Sequence, residues 1–270
     1  MCGIVGYTGK RTAAPVVLEG LKRLEYRGYD SAGLAVVNGG LEVFRAPGKI
    51  AVLERELGTN LPPGTTAIAH TRWATHGVPN TVNAHPHADC GGTLALVHNG
   101  IIENAGALRQ ALSKRGHVFR SQTDTEVLSH LIEETHTNGT PLVDATAEAL
   151  RQVEGTYGIA VISSREPDTI VAARRGSPLL VGVGNGENFV ASDASAVLAH
   201  TRSVVYLDDG EIAEVTPGDY RIMDLAAAEK EKQIMQVEWD LATIERGGYA
   251  HFLLKEIMEQ PDRVCNTKRG

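Results

Sequence analysis

Short apolar runs separated by turn residues recur through the first 220 residues, and they constrain the fold more than any other feature. Runs of this length, rich in Val and Ile, are typical of β-strands. Asn38-Gly39-Gly40 lies between two of them and predicts a hairpin, since these residues tolerate positive φ. The predicted strands cover residues 4–7, 32–37, 41–45, 66–70, 94–98, 158–163, 169–173, 179–184, 188–191, 204–207 and 211–215.

Helical spacing of apolar residues predicts a few helices among these strands, most of them in the middle of the chain. A capping-box pattern at residues 123–126 would open one helix, and Gly116 would terminate another. Many strands with a few grouped helices favour an α+β fold built in layers. The predicted helices cover residues 12–24, 105–115, 123–134 and 142–153.

The character of the chain changes after Met223. Residues 226–233 are charged and carry no strand pattern, and one more helix is predicted near residues 251–259, before Pro261. We therefore expect one domain over residues 2–220, followed by a linker over residues 221–270 that leads towards a further region.

Charge and composition argue against several functional classes. The net charge is −7 without a long basic run, which disfavours nucleic-acid and membrane-surface partners. No apolar run approaches the ~20 residues of a membrane span, and no signal peptide is visible. Cys2, Cys90 and Cys265 are odd in number and far apart. A disulfide framework is therefore not expected, and a reducing cytoplasm is the default location.

One group of potential metal ligands is present, at His85, His87, Asp89 and Cys90. Its spacing matches no common zinc arrangement, and no Cys-x-x-Cys pair accompanies it. Hydrogen bonding within a loop explains these side chains better. Neither a metal nor a cofactor is therefore predicted.

Cys2 stands where removal of Met1 would give a single residue both a thiol and a free α-amine. The thiol titrates near ~8.5 and the amine near ~7.7–8.0, so proton transfer between them is almost balanced at neutral pH. An N-terminal amine can serve as the base for such a nucleophile. A cysteine at a frayed terminus would have no role, but the strand predicted at residues 4–7 would hold Cys2 in place.

Further residues carry groups suited to an amino acid with a side-chain carbonyl. Asn99 and Gly100 follow a predicted strand, and an amide beside a backbone N–H can form an oxyanion hole. The same pair is also common in ordinary turns. Arg72 can clamp an α-carboxylate or be a solvated loop residue. Asp124 can bind an ammonium group or complement a helix dipole.

Seven segments together resemble the class II, N-terminal-nucleophile glutamine amidotransferases, and they match most fully the glutaminase half of the glucosamine-6-phosphate synthases. They occur in the family's order and span most of the first 220 residues, which makes the match specific. The segments are CGIVG at residues 2–6, RLEYRGYDSAG at 23–33, HTRWATHG at 70–77, NAHPH at 83–87, VHNGIIEN at 97–104, SQTDTE at 121–126 and GSPL at 176–179.

The resemblance implies a four-layer αββα sandwich of the N-terminal-nucleophile hydrolase type. It also implies that Cys2 is the nucleophile and that Asn99 and the Gly100 backbone form the oxyanion hole. Arg27 matches an arginine of the family that lies near the active site. Trp73 matches a tryptophan that gates the passage of ammonia.

The same resemblance assigns the residues that would bind the substrate, L-glutamine. Arg72 would clamp its α-carboxylate, with support from Thr75 and His76. Asp124 together with Gly100 would hold its α-amino group.

The reaction implied is hydrolysis of L-glutamine to glutamate and ammonia through a thioester on Cys2. In the full-length synthases this ammonia converts fructose 6-phosphate into glucosamine 6-phosphate within an isomerase half, and a homodimer is one expectation for such an enzyme. That half does not lie within these 270 residues. Residues 221–270 are expected to hold only its linker and its beginning.

Three other interpretations remain open. A class II amidotransferase of the phosphoribosyl-pyrophosphate type would share the glutaminase chemistry and use a different acceptor, although residues 26–33 and 72–77 favour the amino-sugar type. A non-catalytic glutamine-sensing module would keep the fold but would have no need of the Cys2 thiol. A metal hydrolase is the least favoured, because the ligand pattern it requires is missing.

Overall fold

The computed structural model describes residues 2–73, 77–137, 139–238 and 257–258. The chain divides into two compact units, the first ending at Gln236 and the second covering Val237–Gly270. All the strands that the structure describes lie in the first unit, which therefore continues past residue 220, the boundary expected from the sequence. None of the helices in the described ranges combines the length and apolarity needed to cross a membrane.

Two antiparallel sheets form the centre of the first unit. Within the described ranges the strands are β1 (Gly3–Thr8), β2 (Ser31–Val37), β3 (Leu41–Pro47), β4 (Thr66–Arg72), β5 (His87–Ala88), β6 (Leu94–Ile102), β7 (Gly155–Ser163), β8 (Glu166–Arg175), β9 (Leu180–Val183), β10 (Asn188–Ala191), β11 (Ser203–Tyr206), β12 (Glu211–Val215), β13 (Tyr220–Asp224) and β14 (Met235–Gln236). The eight-stranded sheet has the order β14-β11-β9-β10-β1-β4-β2-β3. The six-stranded sheet has the order β13-β12-β8-β7-β6-β5.

Helices cover the outer faces of both sheets. The α-helices in the described ranges are α1 (Ala13–Arg23), α2 (Ile50–Leu57), α3 (Ala105–Lys114), α4 (Glu126–Thr135) and α5 (Leu142–Leu150). α1 and α2 pack on the eight-stranded sheet, whereas α3, α4 and α5 pack on the six-stranded sheet. The order helix, sheet, sheet, helix confirms the predicted αββα sandwich.

Two apolar clusters of the described residues lie between layers of the sandwich. One lies between the sheets and includes Ile4, Ile68 and Val97. The other lies between the six-stranded sheet and helices α3, α4 and α5. Because β1, β2 and β4 are covered on both faces, they are buried along their whole length. This explains why their sequences read as continuous apolar runs instead of alternating patterns.

The capping box predicted at residues 123–126 is wrong. α4 begins at Glu126, and Thr125 occupies the N-cap without a side-chain cap hydrogen bond. The Glu126 carboxylate instead accepts hydrogen bonds from the backbone N–H groups of Arg120 at 2.8 Å and Ser121 at 2.7 Å. It therefore fixes the segment that precedes the helix.

Four elements have no counterpart among the predictions: α2, β5, β13 and β14. β5 has two residues and pairs with β6 through His87 and Leu96. A two-residue strand is specified by its partner and not by its own periodicity. Of the helix predicted near residues 251–259, only Ile257 and Met258 lie within the described residues, and both are helical.

Candidate active site

Cys2 lies directly before β1, a central strand of the eight-stranded sheet between β10 and β4. Its Sγ accepts a hydrogen bond from the backbone N–H of Trp73 at 3.2 Å and lies 3.6 Å from the Trp73 carbonyl oxygen. Gly3 pairs with Thr71 of β4. A Cβ atom on Gly3 would lie 2.8 Å from Leu24 Cβ and 2.9 Å from Thr71 Cγ2. Glycine after Cys2 therefore lets α1, β1 and β4 meet closely at this point.

The environment of Cys2 keeps its thiol protonated. Burial raises the pKa of the thiol above its ordinary value, while the Trp73 N–H and the Arg72 cation act in the opposite direction without reversing the shift. A neutral thiol is a weak nucleophile, so the site needs a base beside Cys2. The α-amine that removal of Met1 would expose is attached to the same residue.

Asn99 approaches Cys2 from the opposite sheet. It lies in β6, and its Nδ2 donates to the Cys2 carbonyl oxygen at 3.1 Å. Its Oδ1 lies 2.9 Å from Nε2 of His70, a buried residue of β4. Burial lowers the pKa of His70 to about 3, so the ring is neutral. Since an amide oxygen only accepts, Nε2 carries the ring proton and the contact directs the Asn99 N–H₂ group towards Cys2.

Gly100 has a backbone conformation that only glycine adopts without strain. Its φ is +140°, and a Cβ atom there would lie 2.1 Å from the carbonyl oxygen of Thr156 in the paired strand β7. The close pairing of β6 with β7 thus requires glycine directly after Asn99. Gly100 is exposed and directly follows Asn99 in β6.

Arg72 and Asp124 carry opposite charges and lie within electrostatic range of each other. Arg72 ends β4 and is almost completely buried, and its Nη2 donates to the Gly77 carbonyl oxygen at 3.4 Å. Burial lowers the pKa of Arg72, while the negative charges of Asp124 and Asp30 act to raise it. These groups are therefore close enough for their charges to act on one another.

The Asp124 carboxylate is hydrogen-bonded to β6, the strand that carries Asn99. Its Oδ2 accepts a hydrogen bond from the backbone N–H of Ile102, at the end of β6, at 2.8 Å. The residue itself is half-buried and lies two positions before the start of α4. Asp124 is thus held in register with Asn99 and Gly100 by a contact that the sequence does not reveal.

The structure does not place Arg27 against the Cys2 thiol. Its guanidinium pairs with the Asp193 carboxylate and reaches the Ser192 carbonyl oxygen at 3.5 Å. Ser192 Oγ in turn accepts a hydrogen bond from the backbone N–H of Ile4 at 3.0 Å. Arg27 therefore supports the start of β1, two residues away from Cys2, through the segment that follows β10.

The Trp73 ring is 48% exposed, and its edge contacts the Tyr29 ring at a centroid distance of 5.9 Å. Its backbone contacts the Cys2 sulfur, whereas its side chain is half exposed to solvent. Thr75 and His76, which were expected to support Arg72, lie outside the described residues.

His70 is the residue of this site that the sequence did not single out. A signal was present, because side chains two residues apart in a strand lie on the same face. His70 and Arg72 therefore share a face of β4. The position of His70 on the same face as Arg72 could therefore have indicated that it supports the site.

The histidine-rich segment that follows does not converge on one point. His85 Nε2 lies 2.9 Å from Thr125 Oγ1, and His87 Nε2 lies 3.0 Å from Thr123 Oγ1. Asp89 accepts hydrogen bonds from the residues that open β6. These contacts support the interpretation of His85, His87 and Asp89 as loop hydrogen-bonding groups.

Comparison with known proteins identifies relatives along the whole chain. A protein family described as a glutamine amidotransferase domain matches residues 70–199. Glutamine–fructose-6-phosphate aminotransferase (isomerizing) from Chlorobaculum tepidum is 53% identical over 275 residues, and the protein of that name from Methanosarcina acetivorans is 51% identical over 280 residues. Each match covers 100% of this chain and 45% of the relative. The chain thus spans a little under half the length of these relatives.

Solved structures share the same sandwich. Glutamine phosphoribosylpyrophosphate amidotransferase from B. subtilis is 28% identical with a TM-score of 0.70, over 83% of this chain and 49% of that one. A glutamine aminotransferase class-II domain protein from Silicibacter pomeroyi is 17% identical with a TM-score of 0.56, over 84% of this chain and 100% of that one. The second likeness concerns the fold alone.

Proposed function

Since this chain belongs to the class II glutamine amidotransferases, as the seven sequence segments indicated, we propose that it hydrolyses L-glutamine to glutamate and ammonia with Cys2 as the nucleophile. The observation that carries the proposal is the approach of Asn99 to Cys2 across the two sheets, with the amide nitrogen 3.1 Å from the Cys2 carbonyl oxygen. A hydrogen-bond donor held at this position by a neutral histidine is suited to a developing oxyanion.

The chemistry follows from the groups around Cys2. Its α-amine takes the thiol proton while the sulfur attacks the side-chain carbonyl carbon of glutamine. Asn99 Nδ2 and the Gly100 N–H stabilise the negative oxygen of the tetrahedral intermediate. The amine then gives its proton to the leaving nitrogen, ammonia departs, and a thioester remains on Cys2. Water attacks the thioester, and its proton returns through the amine to the sulfur as glutamate is released.

Substrate selection is assigned to the two charges that flank the nucleophile. Arg72 would bind the α-carboxylate of glutamine in a bidentate manner, because a planar guanidinium matches a carboxylate. Asp124 would bind the α-ammonium group together with Gly100. Thr75 and His76 are proposed to support Arg72.

Two further residues are given supporting roles. Arg27 is proposed to act as a positioning residue, because its contacts with Asp193 and Ser192 support the start of β1. Trp73 is proposed to gate the passage of ammonia, because its ring is half exposed while its backbone contacts the Cys2 sulfur.

The longer protein is proposed to transfer the ammonia to fructose 6-phosphate and to form glucosamine 6-phosphate. Two relatives that match the whole chain at 53% and 51% identity carry the name glutamine–fructose-6-phosphate aminotransferase, which favours this acceptor. A phosphoribosyl-pyrophosphate acceptor is the second candidate, favoured by the 28% identity to the B. subtilis structure. Residues 237–270 would then contain the connection to an acceptor domain.

The proposal is tested by measuring glutamate and ammonia from the same sample of purified chain. Both should appear in equal amounts, and Cys2→Ala should abolish both while glutamine still binds. Cys265→Ser is a matched control, since it removes a thiol that no proposed step uses. A glutamine-like diazo-ketone should label only the N-terminal peptide. Glutamine binding without glutamate formation by the mature chain would instead identify a sensing module.

A further inference from the structure

A second cluster of reactive side chains lies on the six-stranded side of the sandwich. Cys90 follows β5, His117 lies between α3 and α4, and His130 and Glu133 lie one turn apart on α4. One ligand atom from each residue lies within 4.8 Å of all the others. None of these side chains belongs to the Cys2 site, and their spacing in the sequence gives no recognisable metal motif.

Five separations among the four atoms lie close to the edges of a tetrahedral zinc shell, with the two that involve Glu133 slightly shorter. Cys90 Sγ lies 3.7 Å from His117 Nδ1 and 3.5 Å from His130 Nδ1. The two Nδ1 atoms are 3.3 Å apart. Glu133 Oε2 lies 3.0 Å from His117 Nδ1 and 3.1 Å from His130 Nδ1. A tetrahedral zinc ion with bonds of about 2.0–2.3 Å places its ligand atoms roughly 3.3–3.7 Å apart.

Hydrogen bonding within the cluster does not account for these contacts. The Nδ1 atom of an imidazole offers either one N–H or one lone pair. His117 Nδ1 nevertheless lies at hydrogen-bonding distance from three atoms: Cys90 Sγ, His130 Nδ1 and Glu133 Oε2. His130 Nδ1 likewise contacts Cys90 Sγ, His117 Nδ1 and Glu133 Oε2. A cation at the centre would accept one lone pair from each of the four residues at the same time.

The outer nitrogens of the two histidines face carboxylates. His117 Nε2 lies 3.3 Å from Glu134 Oε1, and His130 Nε2 lies 3.8 Å from Glu126 Oε1. Histidines that bind a metal through one nitrogen commonly direct the other to a carboxylate, which fixes the tautomer and the ring orientation. The rings are also confined, since the His130 side chain is 1% exposed and its ring packs against Phe119 at a centroid distance of 4.6 Å.

We propose that Cys90, His117, His130 and Glu133 form a structural zinc site. One sulfur, two imidazole nitrogens and one carboxylate oxygen are ligands that suit Zn²⁺. A thiolate and a carboxylate balance the charge of a divalent ion. Four protein ligands fill a tetrahedral shell, which is the arrangement of a structural site and leaves no position for substrate.

The ion would join three parts of the fold: the turn between β5 and β6, the segment between α3 and α4, and α4 itself. Glu133 already connects α4 to the turn between β5 and β6, because it accepts hydrogen bonds from the backbone N–H groups of Cys90 and Gly91 at 3.1 and 3.3 Å. Asp124 lies at the other end of α4. Zinc would therefore stabilise the helix that follows the ammonium-binding residue without taking part in hydrolysis.

The test uses cobalt as a spectroscopic substitute for zinc in the Cys2→Ala/Cys265→Ser chain, in which Cys90 is the remaining cysteine. One Co²⁺ per chain should give the visible bands of tetrahedral cobalt and a thiolate-to-cobalt charge-transfer band. Adding Cys90→Ser should remove the charge-transfer band. A spectrum of octahedral cobalt, or no charge-transfer band while Cys90 is present, would overturn the proposal.

Zinc itself is measured by elemental mass spectrometry of the dialysed wild-type chain. One zinc per chain is expected, and His117→Gln should lose it. His200→Gln is the matched control, since His200 stacks on Phe189 in the other sheet and should not affect zinc content. Glu134→Gln should weaken zinc binding by about 10- to 100-fold, the usual effect of losing a carboxylate behind a ligand histidine. Sub-stoichiometric zinc in the wild-type chain after loading would overturn the proposal even if a variant failed to fold.

Discussion

Replacing His70 by leucine should lower the rate of glutamine hydrolysis and leave glutamine binding almost unchanged. The substitution removes the hydrogen bond between His70 Nε2 and Asn99 Oδ1, which is 2.9 Å long. A neutral hydrogen bond contributes about 0.5–1.5 kcal/mol. If the loss of this hydrogen bond raises the activation free energy of hydrolysis by the same amount, kcat should fall roughly 2- to 13-fold. Complete removal of the donor by Asn99→Ala sets the upper bound, about 10²–10³-fold.

The assay is a double-mutant cycle in which initial rates of glutamate formation are measured over a range of glutamine concentrations. If His70 acts through Asn99, then Asn99→Ala and the His70→Leu/Asn99→Ala double variant should have the same kcat. His70→Gln retains a donor and should recover part of the loss. Fully additive losses in the double variant, or a raised KM with unchanged kcat, would refute this role of His70.

Three other predictions concern the base, the clamp and acid stability. A chain that retains an N-terminal extension should be inactive, because an amide nitrogen has no basic lone pair; mass spectrometry identifies the terminus, and full activity of an extended chain would exclude the amine as the base. Arg72→Ala should raise KM for glutamine roughly 10- to 150-fold, from a charge-assisted hydrogen bond of about 1.5–3 kcal/mol; an unchanged KM would assign the carboxylate to another residue. The pKa of His70 is lowered from 6.5 to about 3 in the folded chain, so unfolding takes up a proton between these values and stability should fall as the pH drops below 6.5. Between these two pKa values, His70 should change the free energy of unfolding by about 1.4 kcal/mol per pH unit. The free energy of unfolding, measured with urea at several pH values, should fall less steeply with decreasing pH for His70→Leu than for the wild-type chain. The same dependence on pH in both chains would contradict a neutral buried His70.

The sequence was most informative where local chemistry or periodicity carries the signal. The hairpin at Asn38-Gly39-Gly40 forms as predicted between β2 and β3, with Gly39 at a φ of +65°. The described strands other than β5, β13 and β14 were recognisable from their apolar runs. In contrast, the capping box failed because the Glu126 carboxylate accepts hydrogen bonds from Arg120 and Ser121, which lie before the predicted box.

Among the site residues, the types of side chain could be read from the sequence but their neighbours could not. Cys2, Asn99, Arg72 and Asp124 each carry a group whose chemistry suggests a task. The supporting contacts depend on sheet packing: His70 meets Asn99 only because β4 and β6 face each other in different sheets. Arg27 illustrates the same limit, since its position beside Asp193 and Ser192 follows from the pairing of β10 with β1.

The sequence by itself determined the layered α+β class and the resemblance of the seven segments to the class II glutamine amidotransferases, and it predicted a thiol beside its own amine. These depend on residue type and on local spacing, which the chain carries in linear order. The tertiary structure alone decided which side chains meet across distances of many residues, such as Asn99 with Cys2, or Cys90 with His117 and His130. The physical reason is that the strand pairing and helix packing that bring these groups together are set by burial of the whole apolar surface, and no local pattern records them.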